Sequence, residues 1–156
     1  MINPSFQVVG EVQIKVARAT VWQAFTRLQD WPEWNSEIVA TDWVDGEPWQ
    51  EGSTFALRHK SLFGTETTTN ALLRMVAPEM TAVWESAMAG IHVVNSAHLQ
   101  DDIGGCKLTA KHTYSGLGAA GLRLLKGRQQ AKLDGAMQEL KRYVERGAGS
   151  AERGVR

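Results

Sequence analysis

Three polar side chains, Asn95, His112 and Tyr114, fall on the apolar face of the last hairpin that the sequence predicts. A histidine with a pKa near neutrality can shuttle a proton or polarise a carbonyl group. An amide and a phenol can hydrogen-bond to the same bound molecule. Two interpretations stay open. The trio acts on or orients a ligand, or its members satisfy one another's hydrogen bonds across the hairpin.

The register of this hairpin depends on its turn. A two-residue turn at the Gly-Gly pair places Asn95 opposite Tyr114, and a four-residue turn places it opposite His112. Both registers keep the apolar residues of the two strands on one face, because a slip by one residue would split them. In either case the trio points inward, while His92 and His98 point outward.

Other catalytic chemistry finds no support in the residue pattern. None of the four histidines has a second ligand at a spacing typical of zinc sites. The only cysteine, Cys106, begins a strand on its inward face, where a small buried apolar residue is expected. The sequence contains no serine in a glycine elbow and no phosphate-binding glycine loop. We therefore expect no metal and no cofactor.

Length and charge narrow the class of protein. The chain has 156 residues, enough for one domain with a sizeable core, and 17 basic against 17 acidic residues. This balance argues against nucleic-acid binding, which needs a basic excess. No apolar run predicts an integral membrane segment, and the first residues lack the pattern of a signal peptide. With a single cysteine, these features predict a cytoplasmic protein, whose oligomeric state the sequence does not indicate.

Most of the predicted elements that position Asn95, His112 and Tyr114 are β-strands. A strand is predicted over 6–16, and a helix follows with a capping box formed by Thr20 and Gln23. The residue before Pro32 should end that helical segment. Six further strands are predicted between turn signals, at 37–44, 54–60, 66–76, 81–87, 91–100 and 106–115.

A long helix is predicted after the strands, over 122–146. Its apolar residues recur every three or four positions and form one stripe. Gly127 and Gly135 weaken the helix locally and predict a close approach of the sheet. We expect the domain to cover 1–146 and the tail, 147–156, to be disordered. The residues of the stripe are Leu133, Met137, Leu140 and Val144.

The segment Asp30-Trp31-Pro32-Glu33-Trp34-Asn35 forms a short aromatic corner between the first helix and the strands. The corner, together with Val21-Trp22 before it and Tyr114-Ser115-Gly116 at the end of the last strand, resembles the SRPBCC superfamily. It is most similar to the polyketide cyclase/dehydrase-like branch, which is related in fold to START domains and birch-pollen-type allergens. The resemblance covers about residues 6–146.

This resemblance implies an α+β helix-grip fold, in which a curved antiparallel sheet of about seven strands wraps around the long C-terminal helix. It also implies a deep apolar cavity for a lipid-like or polycyclic ligand. Such folds host many functions, so the fold does not by itself specify an activity.

Eight residues are the candidate ligand-binding positions. Trp84 either stacks on a ring system or packs in the core, and Leu62 and Phe63 form an apolar loop tip that either gates the cavity or folds back onto its hairpin. Trp31 and Trp34 are expected to be structural, and the basic face of the last helix is expected to be solvated. The candidates are Leu62, Phe63, Trp84, Asn95, His112, Tyr114, Leu133 and Met137; the basic face is Arg123, Lys126, Arg128 and Lys132.

The leading functional hypothesis is binding or carriage of a small hydrophobic ligand. Two alternatives remain. In an enzyme of the aromatase/cyclase type, His112 and Tyr114 would act on a polyketide-like carbonyl. In a protein-interaction module, the fold would serve as it does in chaperone-activating relatives.

Overall fold

The computed structural model describes residues 4–61 and 64–154, with side chains described up to Gly147. Within these residues seven strands form one antiparallel sheet, and a long helix packs against it, which confirms the predicted helix-grip fold. The elements are β1 (Ser5–Ile14), α1 (Arg18–Phe25), a 3-10 turn (Leu28–Asp30), α2 (Trp31–Trp34), β2 (Ile38–Asp45), β3 (Thr54–Lys60), β4 (Glu66–Ala77), β5 (Thr81–Met88), β6 (Ile91–Asp102), β7 (Gly105–Ser115), α3 (Ala119–Leu122), a second 3-10 turn (Arg123–Leu125) and α4 (Lys126–Gly154).

The sheet order is β1-β7-β6-β5-β4-β3-β2, so the first strand of the chain pairs with the last. In β1 every second residue is buried, as the period of two requires for a strand with one face on the core. Val8 lies opposite His112 in this pairing. The inner face of β1 therefore continues the inner face of the last hairpin.

The turn between β6 and β7 has Ile103 and Gly104 at its centre. Asn95 consequently lies opposite His112, which is the second of the two registers that the sequence allows. Gly104 adopts a positive φ of 79°, a conformation that favours glycine at this point of a tight turn.

Gly105 lies in the strand rather than in the centre of the turn. A Cβ added there would lie 2.0 Å from the carbonyl oxygen of Ile14, so only glycine fits beside β1. The two adjacent glycines thus serve different purposes, one for backbone conformation and one for close approach. A sequence pattern alone does not distinguish these two uses.

Helix α4 approaches the sheet most closely at Gly10. A Cβ at this position would lie 2.6 Å from the Sδ of Met137. Gly127 and Gly135 face open space, so the prediction that they allow the close approach is wrong. Gly10 ends a row of small residues that crosses four strands, Ala82, Ala97, Ala110 and Gly10, and this row leaves room for the helix.

Polar contacts hold α4 along β1. The Gln130 amide nitrogen donates to the carbonyl oxygen of Val9 at 2.7 Å, and the Lys141 ammonium donates to the carbonyl oxygen of Gln13 at 2.7 Å. The four residues of the predicted apolar stripe are all buried. The helix continues to Gly154, beyond its predicted end at residue 146. The disorder of the tail in solution stays a prediction.

The predicted capping box of the first helix is wrong. Helix α1 begins at Arg18, its N-cap residue is Ala17, and no side chain caps it. Val21 and Phe25 are buried in the core, one turn apart. Tertiary burial therefore sets the start of this short helix, because a helix of eight residues gains little from its own propensity.

Candidate ligand-binding cavity

A cavity of about 430 Å³ lies between the concave face of the sheet and α4. This volume is within the usual range for sites that bind small molecules, roughly 300–1,000 Å³. Its walls are mainly aromatic and aliphatic, with contributions from α2, from β3 to β7 and from α4. The small residues of the inner face keep this space open, because no large side chain projects from them. Ala71, Ser86, Ala97 and Ala110 are among the lining residues.

Asn95 and His112 lie side by side on the floor of this cavity. Directly opposed residues of neighbouring strands form one inward row, in which Trp84 lies opposite Asn95 and Asn95 lies opposite His112. Side chains of directly opposed residues are about 5 Å apart at Cβ, so one ligand group can reach two of them. The row crosses five strands as Leu73, Trp84, Asn95, His112 and Val8.

The imidazole of His112 is buried against the cavity. Burial disfavours the charged ring and lowers the pKa of His112 to about 4. The ring is therefore neutral at pH 7, with one nitrogen as a donor and the other as an acceptor. Among the described residues no side chain or backbone group hydrogen-bonds to it. A neutral ring of this kind is suited to receive a hydrogen bond from, or give one to, a bound molecule.

Tyr114 occupies the next position on the same face. Its ring stacks on Phe6 at 4.8 Å between centroids, and its hydroxyl donates to the Oε1 of Gln129 at 3.4 Å. Burial raises the pKa of Tyr114 to about 12. The hydroxyl therefore takes its partner from α4 and not from the hairpin. Across the described residues, the trio does not satisfy its own hydrogen bonds.

Trp84 belongs both to the cavity wall and to the aromatic core. Its ring lies 5.9 Å from Trp31 and 6.0 Å from Phe25, measured between centroids. Both interpretations of Trp84 therefore hold geometrically. Trp31 and Trp34 also line the cavity, a position that the sequence did not indicate. Their i and i+3 spacing in α2 is the signal that both rings face the same way.

Polar side chains surround the mouth of the cavity. The Lys132 ammonium lies 3.4 Å from Glu37 and donates to the carbonyl oxygen of Lys60 at 3.4 Å. His59 hydrogen-bonds to the hydroxyl of Thr69 at 2.8 Å. Lys132 is therefore not part of a solvated basic face. Sequence reasoning missed these mouth residues, because they come from elements far apart in the chain.

The structure brings six of the eight candidates together. Trp84, Asn95, His112 and Tyr114 line the cavity from the sheet, and Leu133 and Met137 line it from α4. Leu62 and Phe63 lie outside the described residues.

Two further findings concern metals and membranes. Among the described residues, no three His, Cys, Asp or Glu side chains lie together as a metal site would require. In the same part of the chain, no helix has the length and apolar character needed to cross a bilayer.

A sequence model of the family described as polyketide cyclase/dehydrase and lipid transport matches residues 5–145. A search of proteins with curated descriptions gives no match. Similar solved structures include the di-domain ARO/CYC StfQ from the steffimycin biosynthetic pathway, with a TM-score of 0.77 and 15% identity over 93% of this chain and 52% of that chain.

Two further neighbours are similar over nearly their whole length. The ginseng major latex-like protein 151 from Panax ginseng has a TM-score of 0.71 and 15% identity over 89% of this chain and 97% of that chain. Ara h 8.0201 has a TM-score of 0.68 and 16% identity over 90% of this chain and 98% of that chain. At these sequence identities the structural similarity shows a shared fold. It does not identify a ligand.

Proposed function

This chain belongs to the polyketide cyclase/dehydrase and lipid transport family, and from that premise we propose that it binds or carries a small hydrophobic ligand in the cavity under α4. The observation that carries the proposal is an apolar cavity of about 430 Å³ whose floor holds a neutral histidine with no hydrogen-bond partner among the described residues. The family name covers both transport and catalysis, so the choice between them depends on this site.

The ligand has an apolar body and one neutral hydrogen-bonding group. A carbonyl or hydroxyl oxygen beside His112 and Asn95 would give both side chains the partner that the described protein groups do not supply. A carboxylate at the same point would lose its hydration without gaining an opposite charge, because His112 is neutral at pH 7. The site therefore favours alcohols and ketones over acids.

Each wall has a separate part in this proposal. Trp84 offers a flat face to rings or chains, and Tyr114 supports the floor while its hydroxyl stays engaged with Gln129. Leu133 and Met137 cover the ligand from α4, where a flexible thioether adapts to different shapes. These are binding roles, and they require no chemical step.

The aromatase/cyclase alternative has one observation in its favour, the presence of His112 and Tyr114 in the same cavity, with ring centroids 6.5 Å apart. An efficient general base has a pKa near the working pH. Burial moves the pKa of His112 down to about 4 and that of Tyr114 up to about 12. Both groups are then neutral at pH 7 and poorly matched to proton transfer, which favours binding over catalysis.

Native mass spectrometry of freshly purified protein tests the proposal first. We expect a co-purifying apolar molecule that dissociates on activation in the gas phase. A second measurement follows quenching of tryptophan fluorescence by a medium-chain alcohol, the matching carboxylic acid and the matching alkane. The alcohol should bind most tightly at pH 7. If none of the three binds and nothing co-purifies, the proposal fails.

Variants of His112 show whether the ligand's polar group lies where we place it. His112→Leu should weaken alcohol binding by about 1–3 kcal/mol, the usual cost of an unpaired buried polar partner. His112→Gln should retain most of the affinity, because it keeps a donor and an acceptor. The matched control is His98→Leu, since the His98 ring hydrogen-bonds to Thr81 at 2.8 Å and does not line the cavity. Equal losses in both leucine variants would contradict the placement.

A further inference from the structure

An apolar stripe faces solvent between β7 and α4. Leu117 and Leu124 are 80% and 88% exposed, values that are unusual for leucine. Between them, Ala120 and Gly121 are also exposed, and the exposed Arg128 follows four residues after Leu124. Leu117 precedes α3 and Leu124 lies in the 3-10 turn after α3, so both leucines belong to one short surface segment. We call the five residues the leucine face.

Positive charge surrounds the leucine face. The side chains of Arg123, Lys126 and Arg128 are exposed and lie within four residues of Leu124 in the chain. From 103 to 133 the sequence has six Lys and Arg residues and no Asp or Glu. From 28 to 57 it has seven Asp and Glu residues and no Lys or Arg. The net charge of zero therefore conceals two segments of opposite sign.

The leucine face lies next to one wall of the cavity. The backbone nitrogen of Gly118 donates to the carbonyl oxygen of Gly90 at 3.2 Å, which fixes the segment against the turn between β5 and β6. Ile91, next to that turn, and Leu122, two residues before Leu124, both line the cavity. A surface that contacted Leu124 would thus lie beside this wall of the cavity.

We propose that the leucine face docks the protein onto an anionic lipid bilayer, with the leucines in the headgroup region and the three cations against lipid phosphates. Exposed apolar residues flanked by Lys and Arg are the features by which segments lie in a membrane interface. Basic residues near an anionic leaflet add a salt-dependent attraction. The cavity wall formed by Ile91 and Leu122 then lies next to the surface from which an apolar ligand would be taken or to which it would be returned.

The same features argue against a second copy of the chain as the occupant. In a twofold dimer each patch meets itself, so Arg123, Lys126 and Arg128 would face their own copies. Two leucines and two small residues also expose far less area than the roughly 800 Å² per partner of a stable protein interface. A planar array of phosphates satisfies both conditions, since it is anionic and does not require a complementary shape.

Vesicle flotation with the full chain tests the proposal. We expect the protein to float with vesicles of phosphatidylcholine and phosphatidylglycerol in equal amounts, and to stay behind with vesicles of phosphatidylcholine alone. Leu124→Ser should lower the partition coefficient by about tenfold, from the apolar area it removes. Lys126→Glu should lower it at least as much at low salt, and high salt should reduce capture of the unchanged protein.

Two matched controls carry the same chemical changes elsewhere. Ile103→Ser removes a fully exposed apolar side chain at the other end of β6, roughly 35 Å away at the rise of a strand. Arg142→Glu reverses an exposed charge farther along α4, roughly 24 Å from Lys126 at the rise of a helix. Both should bind vesicles like the unchanged protein. All four positions are exposed, so each variant should keep its melting temperature.

Three outcomes would overturn the docking proposal. They are capture by neither vesicle, equal capture by both, and equal losses in the control and test variants. A concentration-dependent dimer that Leu124→Ser abolishes would assign the leucine face to a second copy instead. Ligand binding is measured without vesicles, so this proposal and the proposed function can fail separately.

Discussion

The two ends of the concave face use the same sheet for opposite purposes. At the aromatic end, Phe25, Trp31, Trp49 and Phe55 fill the space between α1, α2 and the strands with rings in mutual contact. At the cavity end, small residues leave a volume of about 430 Å³ open. Phe25, Trp31 and Trp84 lie at the boundary, since their rings are in contact with one another and also line the cavity. Side-chain volume, and not backbone topology, separates the solid end from the hollow one.

Hydrogen bonding follows the same division. In the solid end, the indole nitrogen of Trp31 donates to the carbonyl oxygen of Phe25 at 2.7 Å, and that of Trp49 donates to the carbonyl oxygen of Thr26. In the hollow end, Asn95 and His112 have no partner among the described residues. Buried polar groups are normally satisfied, so the solid end is organised for stability and the hollow end for a ligand. The predictions below test that contrast.

The largest effect is expected at the centre of the aromatic end. Trp31 is 3% exposed and contacts five other rings, those of Phe25, Trp34, Trp49, Phe55 and Trp84. Trp31→Ala should lower the free energy of unfolding by about 3–5 kcal/mol, measured by urea denaturation. Trp34→Ala should cost less, because the Trp34 ring contacts only that of Trp31 among the described residues, whereas the Trp31 ring contacts five others. Equal losses would contradict the division into two ends.

The second prediction concerns the pH dependence of stability in the hollow end. The pKa of His112 is about 4 in the folded protein, against 6.5 for a solvated histidine. The unfolded chain therefore binds a proton more readily, and folding stability falls as pH drops from 6.5 to 4. The loss from this group should approach about 3 kcal/mol.

Denaturation curves between pH 7.5 and pH 4 provide the measurement, with pH spacing fine enough to define a slope. His112→Gln should remove this part of the slope, because glutamine does not titrate. His112→Leu, which also removes the titratable ring, should remove the same part of the slope. A His112→Gln protein with the original slope would show that other groups cause the pH dependence.

The third prediction concerns a smaller change in stability, which should differ between Trp31 and Trp34 because only the Trp31 indole nitrogen has a hydrogen-bond partner among the described residues. Trp31→Phe leaves the buried carbonyl oxygen of Phe25 without its donor and should cost about 1–3 kcal/mol beyond the lost ring area. The buried indole nitrogen of Trp34 has no partner among the described residues. Trp34→Phe removes that unsatisfied group and should cost distinctly less. Thermal and urea denaturation of both variants compare the two directly.

The smallest effect is expected at the mouth. Glu37 and Lys132 form an ion pair at 3.4 Å, and both side chains are partly exposed. Pairs of this kind contribute about 0–1 kcal/mol, so Glu37→Gln should change the free energy of unfolding by less than about 1 kcal/mol. A larger loss would mean that the mouth is part of the stabilising framework, as the aromatic end is.

Sequence patterns predicted most of the fold because each pattern is local. The predicted strand at 54–60 coincides with β3, and the remaining strands differ by one or two residues at their ends. The inward parity of Asn95, His112 and Tyr114 followed from the period of two and from the apolar residues around them. The aromatic corner indicated the family, and the family model that matches residues 5–145 confirms that assignment.

The features that the sequence did not predict share a physical cause. In each case the residue contacts an element that is distant in the chain. Position 10 must be small because the Sδ of Met137 in α4 lies close to where a Cβ would be. No residue near Gly10 in the chain indicates this contact. Position 105 accepts only glycine because the carbonyl oxygen of Ile14 lies where a Cβ would be. The mouth combines Glu37, Lys132 and the backbone of Lys60, whose separation in sequence hides their proximity.

The sequence by itself determined the order and type of the elements, the face to which each strand residue belongs and the family. These properties depend on periodicity, turn residues and a short aromatic motif, all of which act over a few residues. Only the tertiary structure decided the register of the last hairpin, the volume of the cavity and the neutral state of His112. Each of these depends on what other elements place around a residue, since volume, burial and pKa are properties of the surroundings and not of the chain.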